Sequence, residues 1–217
     1  MPGRLIYYDF NGRAEAIRSM LAHADFEYED VYIETHESDQ LKASGANPYN
    51  GWPVWSEQGV ISPQSNAILR FLGIRLGYYH TDAMKCYQID SVCEFMDDLF
   101  PVFGAYAYPA VMHNAPVGDE DEWLENFWQK KITLIQGRLA DHGKAFIAGS
   151  ERPTIADFKA FVYVSIVFDR KPDNFYSPAL REKVTDKISA SPNYARWVNV
   201  MYQELASYLA TRQCRPL

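Results

Sequence analysis

The sequence has few cysteines, and none of them form a paired motif. Cys86, Cys93 and Cys214 are the three cysteines among the 217 residues, and no C-x-x-C occurs. A sparse, odd set argues against a disulfide framework, a dithiol site and a cysteine-based metal site, and is typical of a reducing compartment. We therefore expect a cytoplasmic protein with no bound metal.

Positive charge and long apolar runs are also scarce. Lys and Arg number 21 against 28 Asp and Glu, so the net charge is -7, whereas nucleic-acid binders usually carry a basic surface. No apolar stretch approaches the roughly 20 residues of a membrane span. The first short apolar stretch is followed at once by Asp9, so we expect no signal peptide. These features predict neither a nucleic-acid partner nor a membrane partner.

What the sequence does have is a large supply of hydrophobic and aromatic residues. Hydrophobic residues make up 47% and aromatic residues 15% of the chain, which includes 15 Tyr. A chain of this length buries roughly 70% of its unfolded surface and does not need disulfides or metal ions to stabilise its fold. Most aromatic side chains should therefore lie in a core, and the surplus of Tyr also suits a site for a flat apolar ligand.

The first part of the chain alternates between strand and helix patterns. Residues 4–10 alternate like a strand, Asn11 and Gly12 form a turn, and a helical spacing begins at Arg13. A second strand follows at 28–34, then a loop with a short helix at 40–43. Residues 53–55 and 60–61 predict a hairpin, and a helix at 65–72 is expected to stop at Gly73. The order β-α-β-α-β-β-α predicts a mixed sheet covered by helices.

The pattern becomes purely helical after residue 82. A long amphipathic helix with apolar residues at three- and four-residue spacing should be bent or broken at Pro101. A second helix covers about 119–142, and Thr154-x-x-Asp157 is a capping-box start for a third. Two more helices begin near Ala179 and Pro192. We predict an α/β domain at 1–74, a linker at 75–81 and an all-α domain at 82–217.

The stretch from Asn50 to Leu69 places Pro53 between two tryptophans and before a helix start. A cis X-Pro bond would expose the backbone groups of Trp52, with which an extended peptide can pair. The helix beginning at Ser65 offers free N–H groups and a partial positive charge to a carboxylate, beside the side chain of Gln64. An edge-strand proline and an ordinary helix cap are the alternative interpretation.

Four motifs resemble one known family. They are "YYDFNGRAEAIR" (7–18), "GWPVW" (51–55), "QSNAILRFLG" (64–73) and "TIADF" (154–158), which stand in the family's order across nearly the whole chain. Together they resemble the cytosolic glutathione transferases of the tyrosine type; the sigma, alpha, mu and pi classes all stay open. The resemblance implies a thioredoxin-like N-terminal domain that binds the tripeptide glutathione, an all-helical second domain and a homodimer.

The resemblance also implies which residues act on the sulfur. An ordinary thiol has a pKa of ~8.5 and attacks well only as the thiolate. Tyr7 stands six residues before Arg13, as the tyrosine donor of the family does, and is expected to hold the thiolate by a hydrogen bond. Tyr8 is the alternative, although strand alternation places its side chain on the opposite face of the sheet. Arg13 is expected to support the thiolate from nearby.

Further residues are implied to bind glutathione. The expected set is Lys42, Trp52, Pro53, Gln64, Ser65 and Asp98. Asp98 would reach across a dimer interface, and Asp97 is the alternative. Ser38 and Gly51 stand where the family usually has Trp and a larger polar residue, which predicts weak or altered recognition of the glycyl end.

The second substrate needs an apolar pocket beside the sulfur. By resemblance Phe10, Phe103 and Tyr108 are expected to line it, with Tyr106 as an alternative. We therefore expect a glutathione transferase that conjugates the thiolate to small hydrophobic electrophiles, typically in detoxification, with glutathione as co-substrate and no other cofactor. A prostaglandin-type, glutathione-dependent isomerase and a low-activity structural or interaction protein are the alternatives.

Overall fold

The fold is built on a four-stranded mixed sheet. The computed structural model describes residues 2–45, 47–168 and 176–213. The strands are β1 (Gly3–Tyr7), β2 (Tyr28–Tyr32), β3 (Val54–Glu57) and β4 (Val60–Pro63), in the order β2-β1-β3-β4. β1 pairs in parallel with β2 and antiparallel with β3, and β3 pairs antiparallel with β4. The parallel pair and the hairpin agree with the sequence prediction.

Helices cover this sheet. A 3-10 turn (Gly12–Ala14) leads into α1 (Glu15–His23), and α2 (Thr35–Ala43) and α3 (Ser65–Leu76) follow in the chain. α2 is longer than predicted because Glu34 and Glu37 form a capping box at its start.

The predicted stop of α3 at Gly73 is wrong. A Cβ at Gly73 would lie 2.6 Å from Cγ2 of Ile155, so this glycine serves close packing between helices. Gly77 ends the helix instead, with φ +78 in the left-handed region.

Helices make up the rest of the described chain. They are α4 (Ala83–His113), α5 (Glu120–Trp123), a π-helical segment (Leu124–Gln129), α6 (Lys130–His142), α7 (Ile155–Val167), α8 (Pro178–Ser189), α9 (Pro192–Glu204) and α10 (Ala206–Thr211). α4 is not interrupted at Pro101, and the predicted second long helix contains the π-helical segment. No strand follows β4 in the described ranges, and no helix there is both long and apolar enough to cross a bilayer.

α7 lies at the centre of the core. Every residue from Ile155 to Val167 is buried, and both α1 and α4 pack against this helix. The predicted capping box is confirmed: Thr154 and Asp157 cap the start of α7, and Asp157 also accepts hydrogen bonds from the Ile147 amide and the Trp197 indole. One hydrophobic cluster therefore extends from the sheet through α7 into the outer helices.

Buried ion pairs hold α1 and the loop before it. Arg18 donates to Asp30 Oδ2 at 2.9 Å and to the carbonyl oxygen of Phe10 at 2.8 Å. Glu15, also buried, accepts from Arg212 at 2.8 Å. These contacts fix the segment that joins β1 to α1, where the motif residues lie. Cys214 lies outside the described residues.

Candidate active site

Two cavities flank the segment where β1 ends and α1 begins. The polar cavity has a volume of about 420 Å³ and lies against the start of α3. The apolar cavity has a volume of about 850 Å³ and lies between the β1–α1 loop, α4 and α7. Cavities of roughly 300–1,000 Å³ are the usual size of small-molecule sites. The two cavities suit one polar and one apolar ligand.

Tyr7 connects the linings of the two cavities. Its ring lines the apolar cavity, and its hydroxyl oxygen accepts a hydrogen bond from the backbone N–H of Arg13, a residue of the polar cavity, at 3.3 Å. Gly12 is in close contact, because a Cβ there would lie 2.6 Å from this hydroxyl oxygen. Burial raises the pKa of Tyr7 above 10, although the Arg13 amide and charge lower it in part. The phenol is therefore protonated at neutral pH and has its own proton to donate.

Tyr8 has a different environment. Its hydroxyl shares a hydrogen bond of 2.8 Å with Oγ of Ser38, a buried residue of α2. The same Oγ accepts the indole N–H of Trp52 at 2.9 Å. Ser38 thus joins Tyr8, α2 and the loop before β3. The sequence marked Ser38 only as a departure from the family pattern and carried no signal of this contact.

Arg13 and Asp97 form an ion pair in the polar cavity. Nη1 of Arg13 donates to Oδ1 of Asp97 at 2.6 Å, and the guanidinium lies 4.3 Å from the centre of the Phe100 ring. Asp97 lines this cavity, whereas Asp98 is exposed on the surface of α4 and does not line it. The expected contact of Asp98 concerns a second subunit and stays a prediction.

The start of α3 forms one wall of the polar cavity. Gln64, Ser65 and Trp52, three of the residues expected to bind glutathione, all line it. Gln64 has φ +79, a backbone conformation that non-glycine residues rarely adopt and that clusters at ligand sites. The first N–H groups of the helix have no partner within the helix and favour an anion. The Trp52–Pro53 bond is cis, and Pro53 itself is buried behind the lining.

Lys42 is not among the residues that line the polar cavity. Its ammonium contacts Asp39 of the same helix at 3.1 Å. The loop after α2 is instead organised by Asn47, a buried residue whose side-chain amide donates to the carbonyl oxygen of Gly51 at 2.7 Å. Sequence reasoning did not identify Asn47, since its role depends on the path of the loop.

The apolar cavity contains the three aromatic residues expected there. Phe10, Phe103 and Tyr108 line it, whereas Tyr106 stacks on Trp123 away from it. The wall also includes apolar and aromatic residues that the sequence did not single out, namely Ile33, Phe100, Val162, Tyr163 and Ile166. The α7 residues carried no usable signal because this helix is buried on all sides and its apolar residues form no distinct face. In the part of the chain that the structure describes, no three His, Cys, Asp or Glu side chains are grouped to hold a metal ion.

Comparisons with known proteins identify the family of this chain. Residues 3–73 match the family model "Glutathione S-transferase, N-terminal domain". The chain is 34% identical over 201 residues to hematopoietic prostaglandin D synthase of Mus musculus, which covers 90% of this chain and 94% of the mouse protein. It is 26% identical over 201 residues to glutathione S-transferase 3 of Gallus gallus, covering 91% and 86% of the two chains. The solved structure of NaGST-2 superposes with a TM-score of 0.76 at 22% identity, covering 98% of this chain and 97% of the other.

Proposed function

Because this chain belongs to the cytosolic glutathione transferase family, we propose that it conjugates the thiolate of glutathione to small hydrophobic electrophiles. Glutathione occupies the polar cavity and the electrophile occupies the apolar one. The observation that carries the proposal is the position of Tyr7, which lines the apolar cavity and whose protonated hydroxyl contacts Arg13 of the polar cavity. Glutathione is a co-substrate in this reaction.

Tyr7 stabilises the sulfur as an anion. The backbone N–H of Arg13 donates to the Tyr7 oxygen, so the phenol proton is free to point at the sulfur. The thiol releases its proton to solvent, and the thiolate electron pair then attacks the electrophilic carbon. A leaving group such as chloride departs with its bonding electrons. Lowering the thiol pKa by two units requires about 2.7 kcal/mol of preference for the anion, which one charge-assisted hydrogen bond in a dry site largely supplies.

The polar cavity holds the rest of the tripeptide. The α-carboxylate of the γ-glutamyl residue lies at the start of α3, where Ser65, Gln64 and the helix N–H groups favour an anion. The peptide backbone of glutathione runs beside Trp52 and Pro53. The ion pair of Lys42 with Asp39 must open if Lys42 is to contact the glycyl carboxylate.

The protein acts as a homodimer in the cytoplasm, as is typical of the family. Large apolar side chains on the hairpin, α3 and the start of α4 support a dimer, since Val60, Ile74, Met84 and Tyr87 are each more than 60% exposed. In the dimer Asp98 reaches the γ-glutamyl amine of the neighbouring subunit. Sedimentation that detects only the 24.9 kDa monomer would contradict this assembly.

The central test replaces Tyr7 with Phe and compares it with Tyr8→Phe. Tyr7→Phe removes the hydrogen bond to sulfur, and we expect kcat/KM for a chloronitroaromatic to fall about 10- to 100-fold. The pKa of bound glutathione, read from the ultraviolet absorbance of its thiolate, should rise at the same time. If Tyr7→Phe keeps the parent kcat/KM and the parent pKa of bound glutathione, while Tyr8→Phe loses activity, then Tyr8 is the residue that holds the sulfur.

Isomerisation is the second candidate, favoured by the 34% identity to a prostaglandin D synthase. In that reaction the same thiolate attacks an endoperoxide oxygen, so that an S–O bond forms as the O–O bond breaks and the released alkoxide takes up a proton. Loss of a proton from the carbon that bears the S–O group then forms a ketone, and the S–O electrons leave with sulfur, which regenerates glutathione. Conjugation consumes one glutathione for each product molecule. Incubation with a prostaglandin endoperoxide, with glutathione measured before and after, therefore separates the two reactions.

A further inference from the structure

Lys159 is a buried cation beside the candidate active site. Its side chain on α7 is 4% exposed, and its ammonium donates to Oδ1 of Asp97 at 2.8 Å. Lys159 also lines a small gap together with Gly12, Arg13 and Phe100. Because Gly12 is also in close contact with the Tyr7 hydroxyl, Lys159 and the hydroxyl expected to hold the sulfur share this glycine as a neighbour.

Two cations share one carboxylate oxygen in this cluster. Arg13 contacts Oδ1 of Asp97 at 2.6 Å, the same atom that Lys159 contacts. Arg13 and Asp97 alone form an ion pair with no net charge. Lys159 therefore supplies the positive charge that Asp97 does not balance.

The other titratable groups around Lys159 do not cancel this charge. Burial raises the pKa of Cys93 to about 12 and raises that of Tyr163 well above its ordinary value, so both are neutral at pH 7. On α1, Glu15 is paired with Arg212, and Arg18 with Asp30. Since Lys159 is almost fully buried, water and salt screen its field less than that of Arg13, whose side chain is 32% exposed.

Stability alone does not account for a lysine at this position. Burying an ammonium is costly even with a partner, and Asp97 already has Arg13 as a partner. An apolar side chain would fill the same place between α4 and α7 at lower cost.

We propose that Lys159 is a positioning residue: its charge makes the cluster of Arg13, Asp97 and Lys159 net positive beside the sulfur and thereby favours the glutathione thiolate. It orients Asp97, and through Asp97 the guanidinium of Arg13, while its own charge acts through space. The inference rests on the proposed function and names a residue that the motifs do not include.

The test measures the pKa of the bound glutathione thiol in charge-removing and charge-keeping variants. Lys159→Met should raise this pKa by about one unit, and kcat/KM measured at a pH below the parent thiol pKa should fall about tenfold. At a pH above the thiol pKa of both the parent and the Lys159→Met protein, the two should have the same kcat/KM. Lys159→Arg, which keeps the charge, should keep the parent thiol pKa. A purely structural role would instead lower activity equally at every pH.

Lys131→Met is the matched control. Lys131 is also a fully buried lysine, but it lies among aromatic rings of the helical half and lines neither cavity. Its replacement should leave the thiol pKa unchanged. Lys159→Gln removes the charge but keeps a hydrogen bond to Asp97, so it carries the test if the Met variant does not fold.

The outcomes separate the two proposals. If the parent shows a thiolate near neutrality and the folded Lys159→Met protein has the same thiol pKa, the role of Lys159 is refuted and the proposed function stands. If the parent binds glutathione but shows no thiolate near neutrality, the proposed function itself fails.

Discussion

Replacing Gly12 with Ala tests the geometry of the site directly. The added Cβ would lie 2.6 Å from the Tyr7 hydroxyl oxygen and 3.2 Å from Cε1 of the same ring, whereas ordinary contact begins at 3.4 Å. The phenol must therefore move by most of an ångström. A misplacement of about 1 Å at a reacting group can lower the rate about 100-fold, so we expect kcat/KM to fall by roughly that factor. The pKa of bound glutathione should rise as well.

Backbone strain needs a separate control, because Gly12 has φ +39. Gly143 provides it: this residue has φ +65 at the end of α6, and no atom lies within 4 Å of an added Cβ. In both Ala variants the free energy of unfolding, measured in urea, should fall by about 1–2 kcal/mol. Only Gly12→Ala should lose activity with a chloronitroaromatic. If Gly12→Ala keeps the parent kcat/KM and thiol pKa, the Tyr7 hydroxyl does not act from this position.

Two further predictions concern buried polar groups. Burial lowers the pKa of Lys131 well below 10.5, so the unfolded chain binds the extra proton, and stability is lost as pH falls from 10.5 towards the folded pKa. Lys131→Met should remove this pH dependence of the free energy of unfolding in urea. At neutral pH it should stabilise the protein by about 1.4 kcal/mol for each unit by which the pKa is lowered, less about 1 kcal/mol because Tyr194 loses its partner. An unchanged pH dependence would contradict this prediction. Ser38→Ala should leave the Trp52 indole N–H without its acceptor and weaken glutathione binding in calorimetry by about 1–3 kcal/mol; parent affinity would show that this contact does not shape the cavity.

Particular residues show where sequence reasoning succeeded in the fold. The Thr154–Asp157 capping box and the β-α-β start were visible because both depend on neighbours within a few residues. Gly73 was misread because a helix stop and a close helix packing look alike in sequence. The distinction depends on Ile155, which is 82 residues away along the chain.

The site divides in the same way. Tyr7, Arg13, Gln64 and Ser65 were found because they belong to motifs with fixed spacing, and the structure groups them around the two cavities. Their roles with glutathione stay predictions. The contacts of Ser38 and Lys159 carried no signal, since Trp52 and Asp97 are brought near these residues only by folding. Asn47 bonds Gly51 within its own loop, and the path of that loop could not be predicted from the sequence.

The sequence by itself determined the order and type of most elements, the family, and the tyrosine expected to hold the sulfur. The elements follow from hydrophobic period, helix caps and local spacing, which act over a few residues, whereas the family and the role expected of Tyr7 follow from the resemblance of four motifs. Only the tertiary structure decided that Asp97 faces the polar cavity while Asp98 is exposed, and that Lys159 adds a second cation to Asp97. The physical reason is that charge acts through space, and the partners of Asp97 come from positions 84 and 62 residues away in the chain.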